Sequence, residues 1–204
     1  MARTGRYRAR QAQTAADIRT AQRLRHRAFR DGAEGLDADA FDAVCTHVLV
    51  EDETDGALVC CFRVLPLADG GQIERSYSAQ FYELSALRDF AAPMAEMGRF
   101  CIHPEARDPD ILRVAWAAMT RLVDDTGVEM LFGCSSFRGT DANAYSDVFA
   151  MLKERHLAPR RWWPRVKAPS VFHFAQMMRR PNPDAHRPRL RLPPLLRTYM
   201  MRGG

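Results

Sequence analysis

The chain has 204 residues, 47% of them hydrophobic and 27% charged, enough to bury one ordinary core and too few to demand two. No run of eighteen apolar residues occurs, and the basic start from Met1 to Arg8 lacks the apolar stretch of a secretory signal, so neither a spanning helix nor a leader is expected and the protein reads as cytosolic. The formal net charge of +5 points to an acidic partner without choosing among nucleic acid, an anionic membrane and an acidic carrier protein.

Thr14-Ala-Ala-Asp17 is a helix start, a hydroxyl cap with a carboxylate at the third helical position, and Ile18, Ala21, Leu24, Ala28 and Phe29 then recur at helical spacing. A helix from about 15 to 30 is predicted. The acidic, glycine-bearing stretch from Asp31 to Asp42 is too polar to pack and long enough to arch over a site. Thr46 to Glu51 and Ala57 to Leu65 are β-branched, apolar runs joined by the turn-forming Asp52-Glu-Thr-Asp-Gly56, which predicts an antiparallel hairpin whose second strand Pro66 ends. A variable stretch follows through Phe81 and Tyr82.

Met94 to His103 reads as a further strand stopped by Pro104, and Asp108-Pro109 as the cap and first turn of a helix through Trp116 and Met119 to about Asp125, closed by Gly127. Val128 to Ser135 is a strongly apolar strand, Ala142 to Arg155 an amphipathic helix, and Ser170 to Met177 a last alternating strand after a connection rich in Pro and Trp. One domain over 1–180 is expected, followed by a basic, proline-interleaved segment over 181–204. Such a segment is usually a solvated tail, though it leaves room for a transient visit to the anionic inner face of a membrane. The five cysteines, at 45, 60, 61, 101 and 134, form no C-x-x-C pair and are read as reduced and buried, not as a nucleophile or zinc set.

Strand, helix, strand, helix after an antiparallel meander is the element order of the GCN5-related N-acetyltransferase fold, an α/β (α+β) arrangement with a mixed, mostly antiparallel sheet flanked by helices. Four stations in order, Leu24-Arg-His-Arg-Ala-Phe29, Asp39-Ala-Phe-Asp42, Phe62-Arg-Val-Leu-Pro66 and Glu96-Met-Gly-Arg-Phe100, resemble those of the acyl-homoserine-lactone synthases and their relatives. Within that group, Asp39 to Cys45, Glu96 to Arg99, Leu131-Phe-Gly-Cys-Ser-Ser-Phe137 with Gly139-Thr140, and His156-Leu-Ala-Pro159 are similar to the L-ornithine N-alpha-acyltransferases of ornithine lipid synthesis. The resemblance runs from about residue 6 to the end. It departs there, because members continue past a segment like Leu192 to Arg197 whereas this chain stops at Gly204, as a short variant or one lacking its last segment would.

The resemblance implies transfer of a (3-hydroxy)fatty acyl group from acyl carrier protein to the α-amine of an amino acid, most simply L-ornithine, with no metal or redox cofactor and no covalent enzyme intermediate. Glu96 sits among apolar residues on a strand, the dry setting that suits a carboxylate to general-base work, and the α-amine must lose a proton before it can attack a thioester. The bland alternative is an ion pair with a neighbouring arginine. Arg99 lies three residues on, so a bulge at Gly98 or a splayed strand is needed to bring it to the same face. In this fold the strand splits from its neighbour, so Phe100, Cys101 and Ile102 are expected beside the acyl-pantetheine arm, with backbone amides polarising the thioester.

Arg25 and Arg63 interrupt apolar faces and need anionic partners, with Asp39 and Asp42 as candidates. A salt-bridge network explains these four as well as amino-acid binding does. If they bind substrate, together with Phe29, an arginine would grip the carboxylate and an aspartate the side-chain ammonium. His103 is the runner-up base, but a histidine beside a proline turn more often caps. Ser135 and Ser136 are candidate substrate residues that, with Phe137, could line the acyl channel or assist the departing thiol, though serines after a core strand commonly cap the next element. Trp116, Trp162 and Trp163 are more simply packing residues.

The loop Ala106-Arg-Asp-Pro-Asp110 lacks the glycines that let backbone amides approach a pyrophosphate. A donor with a single pantetheine phosphate is favoured. Arg107 and Arg113 are candidate carrier contacts, with Lys153, Arg155, Arg160 and Arg161 as a second patch. Rival readings are the same chemistry on glutamine, an acyl-homoserine-lactone synthase using S-adenosylmethionine, and a catalytically silent acyl-carrier or membrane-binding module; nucleic acid is not expected as a partner.

Overall fold

A computed structural model describes residues 2–30, 34–137, 139, 141–169, 171 and 192–201. The chain divides into two units, Met1–Ala79 with Leu87–Cys134, and Gln80–Ala86 with Ser135–Gly204.

The first unit is a six-stranded sheet with two helices. Its strands are β1 (Arg3–Thr4), β2 (Tyr7–Gln11), β3 (Thr46–Asp52), β4 (Leu58–Leu67), β6 (Met94–Ile102) and β7 (Met130–Phe132), paired in that order, all antiparallel except the parallel β6–β7 edge. Helix α1 (Ala15–Phe29) follows β2, and α2 (Pro109–Thr126) joins β6 to β7, the crossover that a parallel pair requires. The described architecture is the expected mixed, mostly antiparallel sheet with flanking helices.

Thr14 accepts from Asp17 N and Asp17 reaches back to the cap, a closed capping box worth about 1 kcal/mol. Arg10 reaches both Asp17 and Glu51 at 2.7 Å, which ties the start of α1 to β2 and β3. On the face beneath α1, Ala21 and Leu24 pack with Leu49, Cys61 and Cys101. The opposite parity of β3, Val48 and Val50, points to the other face, the side on which α2 crosses β1 to β4. Asp108 caps α2 with Pro109 at its first position, and Gly127 closes it in the left-handed region at φ 64°.

Several expectations need correction. Pro66 does not end β4; it lies within the strand opposite Ala95, past Val64, where β3 has run out and a residue without an N–H fits the open side. The apolar run over 128–135 contributes only Met130–Phe132 to the sheet. Helix 142–155 begins as a 3-10 turn, Ala142–Tyr145, and becomes α3 at Ser146–Arg155. Cys60, Cys61 and Cys101 are buried thiols, but Cys45 is half-buried and Cys134 is exposed. The strand expected over 170–177 and most of the basic segment lie outside the described residues.

The second unit holds α3, the two-stranded sheet β5 (Tyr82–Glu83) with β8 (Arg165–Val166), and the last helix, α4 (Pro194–Met201). Val148 and Met151 of α3 pack with Leu192 and Leu196.

The sheet opens at the β6–β7 edge. Its ladder runs from Met94↔Met130 to Glu96↔Phe132 and then stops, while β6 continues from Met97 to Ile102 with no described ladder partner on that side. Where β7 leaves, Gly133 presses on β6: a Cβ there would lie 2.3 Å from the Met97 carbonyl oxygen. Gly133→Ala should therefore force the strands apart at the point of divergence, at a cost of about 1–3 kcal/mol. A urea midpoint equal to that of the wild type would refute this.

Candidate active site

The divergence of β6 from β7 begins at a buried acid. Glu96 projects from β6 and is 5% exposed; its Oε2 accepts from Tyr77 N at 2.6 Å, and its Oε1 accepts from Ser78 N at 2.7 Å and from Ser78 Oγ at 2.5 Å. These donors stand at the entry to the 3-10 turn Ser78–Gln80, so the carboxylate ties the segment after β4 to the middle of the sheet. Ser78 Oγ lies in turn 3.2 Å from Cys134 Sγ, just beyond Gly133. Burial raises the Cys134 thiol above its usual range, although the residue keeps an exposed face.

The bulge needed between Glu96 and Arg99 is present. Cys61 pairs with Cys101 and Arg63 with Gly98, so Arg99 and Phe100 together face Phe62. Its left-handed residue is Arg99 at φ 53°, not Gly98. The turn aims the guanidinium at the segment before β3, where its Nε is 3.2 Å from Asp37 Oδ2 and its Nη2 3.3 Å from Asp39 Oδ2. It also lies over the rings of Tyr77, at 5.3 Å, and Phe29, at 6.0 Å.

Arg25, Arg63, Asp39 and Asp42 come together as an ion-pair network with Asp37 and Arg99. Arg25, 1% exposed, meets Asp42 through two hydrogen bonds of 2.7 and 2.8 Å, and its Nη2 also donates to the Asp37 carbonyl. Arg63 takes Asp39 bidentately at 2.6 and 2.8 Å and reaches Asp42 at 2.7 Å. Gln22 and His47 complete the shell, donating to the Asp42 carboxylate and its carbonyl at 2.8 and 3.0 Å. Burial lowers the His47 pKa, so the ring is neutral and its Nε2 carries the donated proton. At Asp42, burial works to raise the pKa, but the hydrogen bonds from Arg25 and Gln22 and the nearby guanidiniums outweigh it and hold the carboxyl well below its usual range. Asp39 is lowered in the same way, burial opposing and Arg63 prevailing.

The four residues thus form an ion-pair network in which Arg25 and Asp42 are buried. Its open rim is Arg99 and Asp39, whose side chains are 27% and 25% exposed. Asp37 Oδ2 sits 3.2 Å from both Arg25 Nε and Arg99 Nε, yet none of these three buried atoms has a well-directed hydrogen bond. Charge attraction without hydrogen-bond geometry leaves the Asp37 carboxylate the most easily rearranged part of the network, whereas Asp39 keeps hydrogen bonds from Arg63 and Arg99.

Phe29 is exposed at the end of α1. Phe100 stacks on Phe62 with ring centroids 5.7 Å apart, and Ile102 is half-buried. The Cys101 sulfur lies in the core under α1, 3.6 Å from Cys61 Sγ. His103 caps its own turn, Nδ1 accepting from Glu105 N at 3.3 Å, while Nε2 is 2.9 Å from Arg27 Nη1.

The start of α2 is occupied by acid. Asp108 accepts from Asp110 N at 2.9 Å and from the Tyr7 hydroxyl at 3.1 Å, and Arg113 reaches Asp110 at 2.5 Å. Arg107 donates to the carbonyls of Pro104 and Ala106 in its own loop. Both arginines are exposed.

In the second unit, Ser135 and Ser136 are exposed, Lys153 and Arg155 end α3, and Arg160 and Arg161 lie over Trp163 and Trp162 at 5.7 and 4.9 Å. Trp116 is a core residue of α2.

Sequence reading missed Asp37, Gln22, His47, Tyr77, Ser78 and Cys134 as parts of the site. Asp37 belongs to a loop expected only to border it, and Tyr77 and Ser78 fall in a stretch without periodicity.

A family model of the acetyltransferase (GNAT) domain matches residues 21–117. The chain is 30% identical over 213 residues to the L-ornithine N(alpha)-acyltransferase of Rhodobacter capsulatus, covering 97% of this chain and 81% of the relative. It is 27% identical over 212 residues to the enzyme of the same name from Rhizobium meliloti, covering 94% and 70%. Among solved structures, an N-acyl amino acid synthase from uncultured soil microbes superposes with a TM-score of 0.49 at 15% identity, covering 72% of this chain and 79% of that one.

Proposed function

Because the chain belongs to the family of the L-ornithine N(alpha)-acyltransferases, we propose that it transfers a (3-hydroxy)fatty acyl group from acyl carrier protein to the α-amine of L-ornithine, giving a lyso-ornithine lipid. The observation that carries the mechanism is the buried Glu96 carboxylate at the point where β6 parts from β7. The edge of β6 from Met97 to Ile102, which has no described ladder partner, offers backbone groups to the pantetheine arm and to the thioester carbonyl. Glu96 takes the proton of the attacking amine, directly or through a water. Arg99 and Asp39, the open rim of opposite charge, receive the acceptor's carboxylate and side-chain ammonium, with Phe29 beside them.

The acid-capped start of α2 supports a carrier-protein donor. Asp108 already fills the anion position that a pyrophosphate would need, and a second negative group there would be repelled. Exposed Arg107 and Arg113 suit an acidic carrier surface.

The product carries a fatty chain, and in the second unit exposed Tyr82, Trp163 and Val166 lie with Arg160, Arg161 and Arg165 on and beside the β5–β8 pair, a composition that fits the anionic face of a bilayer. No described helix is long and apolar enough to cross a membrane.

Incubation with 3-hydroxyacyl carrier protein and ornithine should release free thiol and yield N-acylornithine by mass. Acyl-CoA should be a poorer donor by about tenfold, the worth of one anion contact at a helix end. Acylation of glutamine instead would move the acceptor, a homoserine lactone from S-adenosylmethionine would move the chain to the signalling relatives, and an intact protein that releases no thiol would refute the activity.

A further inference from the structure

Beyond Glu96, the structure contains a directed hydrogen-bond chain. An ionised carboxylate only accepts, so the Ser78 hydroxyl, 2.5 Å from Oε1, commits its one proton to Glu96. The Cys134 thiol, 3.2 Å from the same hydroxyl oxygen, is then the donor of that contact. The chain leads from an exposed residue, at the point where β7 leaves β6, to the buried acid. Ser78 Oγ and the Ser78 amide share Oε1, while Tyr77 N is the described donor to Oε2. Oε2 is therefore the oxygen with a lone pair to spare for the amine.

We propose that Cys134 is a catalytic residue, the acid that protonates the departing thiolate, and that Ser78 recharges it from Glu96. This rests on the acyl-transfer reading above. The neutral amine attacks the thioester carbon, the N–C bond forms, and the ammonium gives a proton to Glu96 Oε2. As the carbonyl re-forms, the C–S bond breaks and its electron pair stays on the pantetheine sulfur, which takes the proton from Cys134 Sγ. To restore the starting state both links turn over: the Ser78 O–H swings from Oε1 and gives its proton to the Cys134 thiolate, and the protonated carboxyl rotates to bring its O–H to Ser78 Oγ. The net change is one proton from nitrogen to sulfur. Donor and acceptor of the sulfur-to-sulfur transfer are both alkyl thiols, so only the burial of Cys134 sets the exchange off level, and the proton taken up by Glu96 drives it. The same burial keeps Cys134 protonated and so unfit as a nucleophile.

Ser78 acts through its neighbours and is a positioning residue. The test compares two donors with ornithine as acceptor: an acyl-pantetheine thioester, and the same acyl group on a thiophenol, whose far more acidic thiol leaves without protonation. Cys134→Ala, at an exposed position, should lower kcat by about 100-fold on the pantetheine donor and only within about threefold on the thiophenol donor. Ser78→Ala keeps the backbone bonds to Glu96 and should show the same donor dependence, with Ser78→Thr restoring activity. Equal losses on both donors, or none on either, in an otherwise active enzyme would overturn the relay while leaving the acyl-transfer reading intact. An acyl adduct on Cys134 in the intact mass, formed with donor alone, would overturn it in favour of a covalent path. A wild-type protein that acylates no amine from either donor would remove the parent reading and the relay with it.

Discussion

Replacing Glu96 by alanine should lower turnover by about 1,000-fold, within the range that a positioned base contributes, and should also cost about 2–4 kcal/mol of stability. The two losses have separate physical origins. The first follows from removing the buried carboxylate at the parting of β6 and β7. The second follows from leaving Tyr77 N and Ser78 N without their acceptor in a buried setting. Glu96→Gln is no neutral control, because one oxygen becomes an NH2 aimed at a donor. The check is kcat with the acyl donor and ornithine beside a urea titration, at a temperature where each variant is folded. A folded Glu96→Ala variant that keeps wild-type turnover would eliminate the base and leave Glu96 as an anchor for the 77–78 turn.

The second large effect lies in the ion-pair network. Asp42→Ala should destabilise by about 3–5 kcal/mol, because it strips Arg25 of its bidentate partner in an enclosed site and takes one contact from Arg63. Asp42→Asn keeps the shape and loses the charge, and so isolates the ionic part. The carboxyls of Asp42 and Asp39 are held below the unfolded value of 3.8, so their contribution is present above about pH 4 and is lost as pH falls toward the folded values. Wild type and Asp42→Asn should therefore differ most near neutrality and converge in acid. Urea midpoints measured at pH 7 and at descending pH below 4 would show it. A constant gap across that range would mean that Asp42 acts through shape alone.

How far these features could be read from sequence depended on whether local signals and tertiary demands agreed. Thr14, Asp17, Asp108, Pro109 and Gly127 sit where caps and stops act within a few residues, and α1 and α2 follow the expectation nearly to the residue. The three-residue offset from Glu96 to Arg99 demanded a bulge, and one is there. Its seat on Arg99 was not foreseen because glycine adopts a positive φ at least cost, whereas the network holds Arg99 in that conformation. Strand β2 went unread because Arg6, Arg8 and Arg10 hide an alternation carried by Tyr7 and Ala9 alone, both of them buried. The Ser78–Cys134 contact joins positions 56 residues apart, and no periodicity reports such a meeting.

The short 3-10 turn Ala40–Ala43 has a consequence for motion. Asp39 and Asp42 cap that turn reciprocally, and the same carboxylates receive guanidinium groups from α1, β4 and β6. To swing this segment away, the protein would have to uncap the turn and strand cations on three elements at once, two of them buried. Residues 39–44 thus share the fate of the central sheet, and their amide protons should exchange as slowly as those of β4. The segment is anchored to the sheet and is not built as a lid.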